Sequence, residues 1–149
     1  MAGMSRRSLK QCVDAAQVLQ AIVTAERASS GEIRVSMAAF FWGDVEKVAR
    51  KAFVRLGMDK TAKRNGVLIF LVPSRKRFTI LGDEGIHAKV GQDFWEDMAR
   101  GLSDHFKRAE FTEGLVQGIA KVGERLAEHF PWEGNADRNE LPDDVDCGA

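Results

Sequence analysis

The sequence predicts one α/β domain built around a small mixed sheet. Residues 67–72 are six consecutive apolar residues, and a short unbroken apolar run is typical of a strand that is buried on both faces. Residues 73–77 connect this run to a second strand at 78–81, and so short a connection suits only an antiparallel hairpin. A helical pattern separates the run from an earlier strand, which predicts a parallel, right-handed crossover.

The composition indicates a soluble cytoplasmic protein. A chain of 149 residues is long enough for one domain with its own core. It contains no apolar segment of about 18 residues, so we expect no membrane span, and its first residues lack the apolar stretch of a signal peptide. Two isolated cysteines, Cys12 and Cys147, form neither a disulfide framework nor a metal motif.

Charge is distributed unevenly along the chain, although the net charge is zero. Residues 131–149 carry six acids and one base, whereas residues 47–77 carry ten bases and one acid. A nucleic-acid partner is one interpretation of the basic segment. The segment lacks interleaved exposed aromatic residues and any recognition motif, so solvated helix and turn faces are favoured and no nucleic-acid partner is expected.

The first half of the chain predicts two helices and a strand. Ser8 and Gln11 fit a capping box, and the apolar spacing that follows predicts a helix of about five turns that ends near residues 29–31. Residues 32–38 alternate, which predicts a strand with one wetter face, away from the centre of the sheet. The aromatic residues 40–42 are interpreted as hydrophobic cover. Asp44 is the expected N-cap of the second helix, and Gly57 its expected end.

The second half predicts two more helices and a tail. A polar loop at 82–85 is followed by a helix whose first turn holds Asp93 and Glu96, which are favourable against the helix dipole. The fourth helix begins near Phe111 and ends at Pro131. The predicted domain therefore spans residues 8–131, and residues 132–149 form an acidic tail that we expect to be extended or disordered unless it is docked.

The topology places three polar side chains at one edge of the sheet. Glu32 and Asn65 lie at the starts of two parallel strands, and Asp83 lies at the end of a strand antiparallel to them. All three should therefore meet at the same edge. The basic hairpin turn at residues 75–77 should lie at the opposite edge.

The chain resembles the TPM domain, a family named for a thylakoid acid phosphatase-like group, a photosystem II repair group and a nematode receptor modulator. The resemblance covers roughly residues 8–131 and rests on the order and spacing of several short segments. These are SGEIRV at 30–35, NGVLI at 65–69, GDEGI at 82–86, FW at 94–95, FTEGL at 111–115 and LAEHFP at 126–131.

The resemblance implies a Rossmann-like α/β/α sandwich with a small mixed sheet and about four helices. It also implies two activities, because plant relatives are described as acid phosphatases and some bacterial relatives bind calcium. Many relatives carry a signal peptide and a C-terminal membrane helix. This chain shows neither pattern, and so it is similar to a short, soluble bacterial subset.

The carboxylates between Gly82 and Gly85 are the strongest candidates for a site. Calcium takes six to eight oxygen ligands from carboxylates, amides, carbonyls and water. An alternative needs no ligand: Asp83 caps the following segment and Asn65 forms a turn with its own backbone. The candidate metal ligands are Asp83, Glu84, Asn65, Glu32 and Asp93.

Hydrolysis of a phosphomonoester is the second hypothesis. It needs a nucleophile or a metal-activated water, for which Asp83 is the candidate, and positive charge on the phosphate, for which Lys60, Lys63 and Arg64 are the candidates. The chain has no phosphate-binding loop motif, and no nucleotide cofactor is expected. The three bases could instead dock the acidic tail.

Three functions therefore remain open at this point. The first is a calcium-binding module with an accessory or regulatory role. The second is a metal-assisted acid phosphatase of low activity. The third is an ion-free module that binds an unidentified protein partner through its basic face and acidic tail.

Overall fold

The structure, a computed structural model, describes residue 9, residues 11–134 and residues 145–148. Within those residues the chain forms one sheet of four strands: β1 (Glu32–Met37), β2 (Gly66–Val72), β3 (Arg77–Gly82) and β4 (Val145–Asp146). Their order across the sheet is β3-β2-β1-β4. β2 is parallel to β1 and antiparallel to β3, so both predicted connections are confirmed.

Helices cover both faces of this sheet. The described residues contain α1 (Ala15–Arg27), α2 (Val45–Arg55), α3 (Glu84–Lys107) and α4 (Phe111–His129). α2 packs on one face, and the other three helices share a larger core on the opposite face. The predicted α/β/α sandwich with a small mixed sheet is confirmed.

β2 is the centre of the packing because both of its faces are buried. Its side chains alternate between the two cores, and none of its apolar residues is more than 2% exposed. Two cores at once require apolar residues at every position, which explains the unbroken run. The residues are Val67, Ile69 and Leu71 in the larger core and Leu68, Phe70 and Val72 against α2.

β1 corrects the prediction of a wetter, non-central strand. Every residue of β1 is buried, and the strand lies between β2 and β4. Arg34 donates to Glu26 Oε2 at 2.8 Å and to Glu32 Oε2 at 3.1 Å, while Ser36 Oγ lies 2.7 Å from an Asp146 carboxylate oxygen. The polar side chains of the strand are therefore buried and form ion pairs and hydrogen bonds, and they are not exposed to solvent.

α1 begins later than the sequence predicted. Its N-cap is Asp14, whose carboxylate accepts a hydrogen bond from the backbone N–H of Gln17 at 3.2 Å. Ser8, the predicted cap, lies outside the described residues. Leu9 and Val13 precede the helix but pack in the larger core. Their spacing predicted a longer helix because both side chains are buried in the same core as the apolar side chains of α1.

The segment at 82–85 is not a loop, which corrects a second prediction. Gly82 ends β3, and Asp83 is the N-cap of α3, which begins directly at Glu84. The helix is kinked at Gly91, which has φ 76° and ψ 172°. The predicted third helix, with Asp93 in its first turn, corresponds to the part of α3 beyond this kink.

The aromatic residues 40–42 are only partly hydrophobic cover. Phe41 is half-buried and packs in the core under α2. In contrast, Phe40 is 49% exposed and Trp42 is 84% exposed. The prediction was wrong for these two rings, because the stretch lies at one end of the sheet, where α2 does not reach every side chain.

The acidic tail is docked at β4. Val145 is buried, and Asp146 accepts hydrogen bonds from both terminal nitrogens of Arg55, at 2.7 and 3.1 Å. Nearer the domain, Glu133 forms an ion pair with Lys63, one of the bases expected to receive the tail. Residues 135–144 of the predicted tail lie outside the described residues.

Candidate functional site

The strand register brings the three predicted polar residues to one edge of the sheet. Glu32 pairs with Gly66, the residue after Asn65. The backbone N–H of Asp83 donates to the Gly66 carbonyl at 2.9 Å. At the far end of the hairpin, Val72 pairs with Arg77. The polar edge and the basic turn therefore lie at opposite ends of the sheet, as predicted.

Asp83 uses both of its carboxylate oxygens within the chain. Oδ2 accepts from Arg64 Nε at 2.7 Å, and Oδ1 accepts from Arg64 Nη2 at 3.0 Å. Oδ1 also accepts from the backbone N–H of Glu84 at 2.8 Å, which caps α3. Asp83 is only 9% exposed. The capping alternative considered for this residue therefore describes one of its contacts, and a bidentate ion pair describes the others.

Arg64 holds the start of α3 with its backbone as well as its side chain. Its carbonyl accepts from the N–H groups of Gly85 at 2.8 Å and Ile86 at 3.3 Å, and its φ of 52° lies in the left-handed region. A Cβ on Gly85 would lie 2.2 Å from the carbonyl oxygen of Lys63. Only glycine allows this approach, which explains the glycine within the GDEG segment.

The Arg64 guanidinium lies between two carboxylates. Besides Asp83, it lies 3.4 Å from Glu84 Oε1. The hydrogen bonds to Asp83 raise the pKa of Arg64 above its ordinary value, and the negative charges of Asp83, Glu84 and Asp59 add to this effect. The guanidinium is thus the cation that balances this acidic cluster.

In the segment that precedes β2, two buried oxygen atoms have no hydrogen-bond partner among the described residues. One is Oδ1 of Asn65, whose amide nitrogen points to Ser30 Oγ at 3.4 Å. The other is Oδ1 of Asp59. A buried oxygen without a donor is rare and costly. Asp59 could not be selected from the sequence, because a lone acid in a polar connector has no distinguishing pattern.

The remaining predicted ligands are not part of this cluster. Glu32 is 1% exposed and is bound by Arg34. Asp93 is exposed and lies beyond the kink of α3. Across the part of the chain that the structure describes, no three His, Cys, Asp or Glu side chains converge as a ready-made metal site. The structure thus places Arg64 against Asp83 and Glu84, with Asn65 next to Arg64 in the chain and Asp59 close enough for its charge to act on Arg64.

The predicted anion site is engaged with other groups. The N–H groups of Glu84, Gly85 and Ile86, which open α3, all donate within the chain. Lys63 is paired with Glu133 and Arg64 with Asp83. A phosphate would have to displace these partners to reach the helix N-terminus.

Comparison with models of known protein families identifies the family of this domain. The family model of the TPM domain matches residues 11–125. The chain belongs to the TPM domain family. The match includes Asp59, Arg64, Asn65, Asp83 and Glu84, so the resemblance to the TPM domain is confirmed for the region that holds the candidate site.

Solved structures agree with this TPM assignment. The NMR structure of BA42 from the psychrophilic bacterium Bizionia argentinensis is 40% identical, with a TM-score of 0.82, and the match covers 91% of this chain and 95% of BA42. No curated protein is similar enough to the chain to count as a match.

Two more distant structures support the fold alone. The N-terminal domain of a P. gingivalis protein is 20% identical, with a TM-score of 0.65, over 87% of this chain and 98% of that one. The N-terminal domain of cg2496 from Corynebacterium glutamicum is 13% identical, with a TM-score of 0.59, over 87% of this chain and 75% of that one. Among the described residues of this TPM domain, no helix is both long and apolar enough to cross a membrane.

Proposed function

We propose that this TPM domain binds a divalent cation, preferably calcium, at the Asp83 edge, and that the ion takes the place of the Arg64 guanidinium. The observation that supports this most is the position of the guanidinium, which lies between Asp83 and Glu84. In the segment that precedes β2, Asn65 and Asp59 each have a buried oxygen without a hydrogen-bond partner among the described residues. The cluster is therefore already built to hold positive charge.

The chemistry of the donors suits a hard cation. Asp83, Glu84 and Asp59 would supply carboxylate oxygens, and Asn65 would supply an amide oxygen. When bound, the ion would balance a cluster in which carboxylates outnumber bases. Calcium accepts six to eight oxygens in irregular arrangements and can complete its shell with water and carbonyls, whereas magnesium requires near-ideal octahedral geometry. Calcium is the better match for donors from a connector and a helix start.

The exchange requires the side chain of Arg64 to move away from Asp83. That side chain is 44% exposed, and so it can turn into solvent. The backbone of Arg64 would stay in place, because its carbonyl binds Gly85 and Ile86 at the start of α3. An ion would thus release a cationic side chain without disturbing the fold, which is the behaviour expected of an accessory or regulatory module.

Calorimetric titration with calcium tests this proposal. Wild type should bind calcium more tightly than magnesium, and Asp83→Asn should lose calcium binding. Arg64→Gln should bind calcium more tightly than wild type, because the competing charge is removed and the backbone contacts are kept. Arg50→Gln, which breaks an exposed ion pair elsewhere, is the matched control and should bind as wild type does. Absence of binding to wild type and Arg64→Gln alike would reject the proposal.

Acid phosphatase activity has weaker support at this edge. The candidate nucleophile Asp83 is bound by Arg64, and the candidate phosphate-binding residue Lys63 is bound by Glu133. An ion-free interaction module is likewise less favoured, because acidic residues of the tail already contact Lys63 and Arg55 within the chain. The buried oxygens of Asn65 and Asp59, for which the described part of the chain supplies no hydrogen-bond donor, favour the cation over both alternatives.

A further inference from the structure

The edge of the sheet opposite Asp83 presents aromatic rings and cations together. Two segments form it: residues 38–43, which follow β1, and residues 73–77, which join β2 to β3. Ser74 Oγ donates to the Ala39 carbonyl at 3.0 Å, and the Arg75 guanidinium lies 5.2 Å from the centre of the Phe41 ring. We call these two segments the aromatic–basic edge.

Two aromatic rings of this edge project into solvent. Trp42 is 84% exposed and Phe40 is 49% exposed, and their rings meet edge to face with centroids 6.0 Å apart. Gly43, the next residue, has φ +75°, and a Cβ placed on it would have no heavy atom within 4 Å. The chain therefore turns here in open space, and Trp42 lies at a projecting tip.

The charge around this tip is positive. Residues 73–77 contain three exposed cations, Arg75, Lys76 and Arg77, and neither segment of the edge contains an acid. Lys76 Nζ donates to the carbonyl of Lys107 at 3.2 Å, which brings the basic C-terminal end of α3 to the same place.

Acidic groups close to the edge are already engaged with neighbours. Asp44 accepts from the backbone N–H of Glu46, and Glu46 is paired with Arg50. Asp44 keeps its negative charge, but the three hairpin cations outnumber it, so the edge has a net positive charge beside its exposed rings.

We propose that the aromatic–basic edge docks on anionic phospholipid surfaces. Tryptophan is enriched at the headgroup level of bilayers because its ring is apolar and its N–H is polar. Each Lys or Arg near an anionic bilayer adds attraction that decays within a Debye length. Trp42 and Phe40 would enter the headgroup layer, and the three hairpin cations would contact lipid phosphates and carboxylates.

A bilayer fits this geometry better than a single-stranded nucleic acid. Such nucleic acids are bound along basic grooves, where open ring faces stack on successive bases. Here the Phe40 and Trp42 rings meet edge to face, and Arg75 covers the Phe41 ring. The projecting tip also matches a flat surface. This inference is independent of the proposed cation, which lies at the opposite edge.

Sedimentation with vesicles tests the docking. The full chain should co-sediment with phosphatidylcholine vesicles that contain phosphatidylserine, and much less with phosphatidylcholine alone. Trp42→Ala should weaken this binding about tenfold or more, from the loss of one buried aromatic side chain. The matched control is Trp132→Ala, because Trp132 is 53% exposed but lies near the Asp83 edge, where its backbone N–H donates to the Ala28 carbonyl. That variant should bind as wild type does.

Charge variants separate electrostatic attraction from ring insertion. The double variant R75Q/R77Q should bind about 25-fold more weakly, at roughly fivefold for each lost cation. The control K60Q changes an exposed lysine at the Asp83 edge and should have no effect. Circular dichroism should show that all of these surface variants are folded.

Tryptophan fluorescence reports which ring enters the bilayer. In Trp132→Phe, emission should shift to the blue on addition of the phosphatidylserine vesicles, and quenching by acrylamide should fall. In Trp42→Phe neither change should occur. The proposal is overturned if wild type does not sediment with these vesicles, or if Trp42→Ala and Trp132→Ala weaken binding equally. Binding to a dT oligonucleotide without binding to vesicles would also overturn it, in favour of nucleic acid.

Discussion

The two edges of the sheet use charge in opposite ways. At the Asp83 edge, cations are held by carboxylates of the same chain: Arg34 by Glu26 and Glu32, and Arg64 by Asp83. At the aromatic–basic edge, three cations of one hairpin turn are exposed, next to an exposed tryptophan.

The paired charges of the Asp83 edge contribute to stability, whereas the exposed charges of the aromatic–basic edge are available for recognition. Buried, paired charges fix the connection between strands and helices, because removal of either partner leaves the other buried and uncompensated. Exposed charges contribute little to stability and are available to a partner. We therefore expect substitutions at the two edges to differ mainly in their effect on the free energy of unfolding.

The largest expected effect is that of Arg34→Ala. The side chains of Arg34 and Glu32 are 4% and 1% exposed, so the substitution removes the ion pairs that Arg34 forms with two buried carboxylates, Glu32 and Glu26. We expect the free energy of unfolding to fall by about 3–5 kcal/mol, as measured by urea denaturation. The control is Arg50→Ala, whose ion pair with Glu46 is exposed and should contribute less than about 0.5 kcal/mol. Equal effects of the two substitutions would contradict the comparison.

A smaller loss is expected for Gly85→Ala. The new Cβ would meet the carbonyl oxygens of Lys63 and Arg64 at 2.2 and 2.6 Å, which are backbone atoms and cannot move aside easily. Unfolding free energy should fall by about 2 kcal/mol. Gly101→Ala, in the same helix, meets only the end of a lysine side chain at 3.6 Å and should stabilise the protein by about 0.5–1 kcal/mol. If both substitutions changed the free energy of unfolding in the same direction, the approach of the Arg64 carbonyl to α3 would not be tight.

Asp146→Asn should have a modest effect that depends on pH. Burial by itself raises the pKa of Asp146, but hydrogen bonds from Arg55 and Ser36 outweigh it and hold the pKa below its ordinary value of 3.8. A lowered pKa means that the ionised group stabilises the fold above pH 3.8 and that this contribution is lost as the pH falls further. At neutral pH the free energy of unfolding of wild type should exceed that of Asp146→Asn by about 1 kcal/mol.

The pH series for Asp146 has a clear contrary outcome. Urea denaturation of both proteins should give curves that converge as the pH drops through the lowered pKa, since a protonated Asp146 resembles asparagine. A difference that stays constant over this range would show that the contacts of Asp146 with Arg55 and Ser36 do not depend on its charge.

The smallest effects on stability belong to the aromatic–basic edge. Trp42→Ala and R75Q/R77Q should each change the free energy of unfolding by less than about 0.5 kcal/mol, because the side chains are exposed. Thermal unfolding should therefore give the same midpoint as wild type. A large destabilisation would mean that this edge serves the fold instead of a partner.

The sequence predicted the parts of the fold that depend on neighbours in the chain. The β2 run, the hairpin and the crossover depend on local apolar pattern and connection length, and all three are confirmed. The burial of β1 could not be predicted, because its polar face is paired with Glu26 and with Asp146, which is 110 residues from Ser36.

The sequence predicted where the candidate site lies, but it did not predict which side chain binds Asp83. The register of three strands was enough to bring Asn65 and Asp83 to one edge. The partner of Asp83 is Arg64, 19 residues away, and their contact depends on a left-handed backbone at Arg64 and on the close approach allowed by Gly85. The sequence contains no pattern for either condition, and so Arg64 was grouped with the phosphate candidates and not recognised as the counter-ion.

The exchange of Arg64 for calcium is tested most directly by the side-chain Nε–H resonance of Arg64 in an NMR titration. Without calcium this proton should show the protection of a hydrogen bond to Asp83. As calcium is added, it should lose that protection in step with shifts of the Asn65 side-chain amide and the Glu84 backbone amide. Calcium that shifts neither Arg64 nor Asn65, or that shifts only residues of the aromatic–basic edge, would contradict a cation site at Asp83.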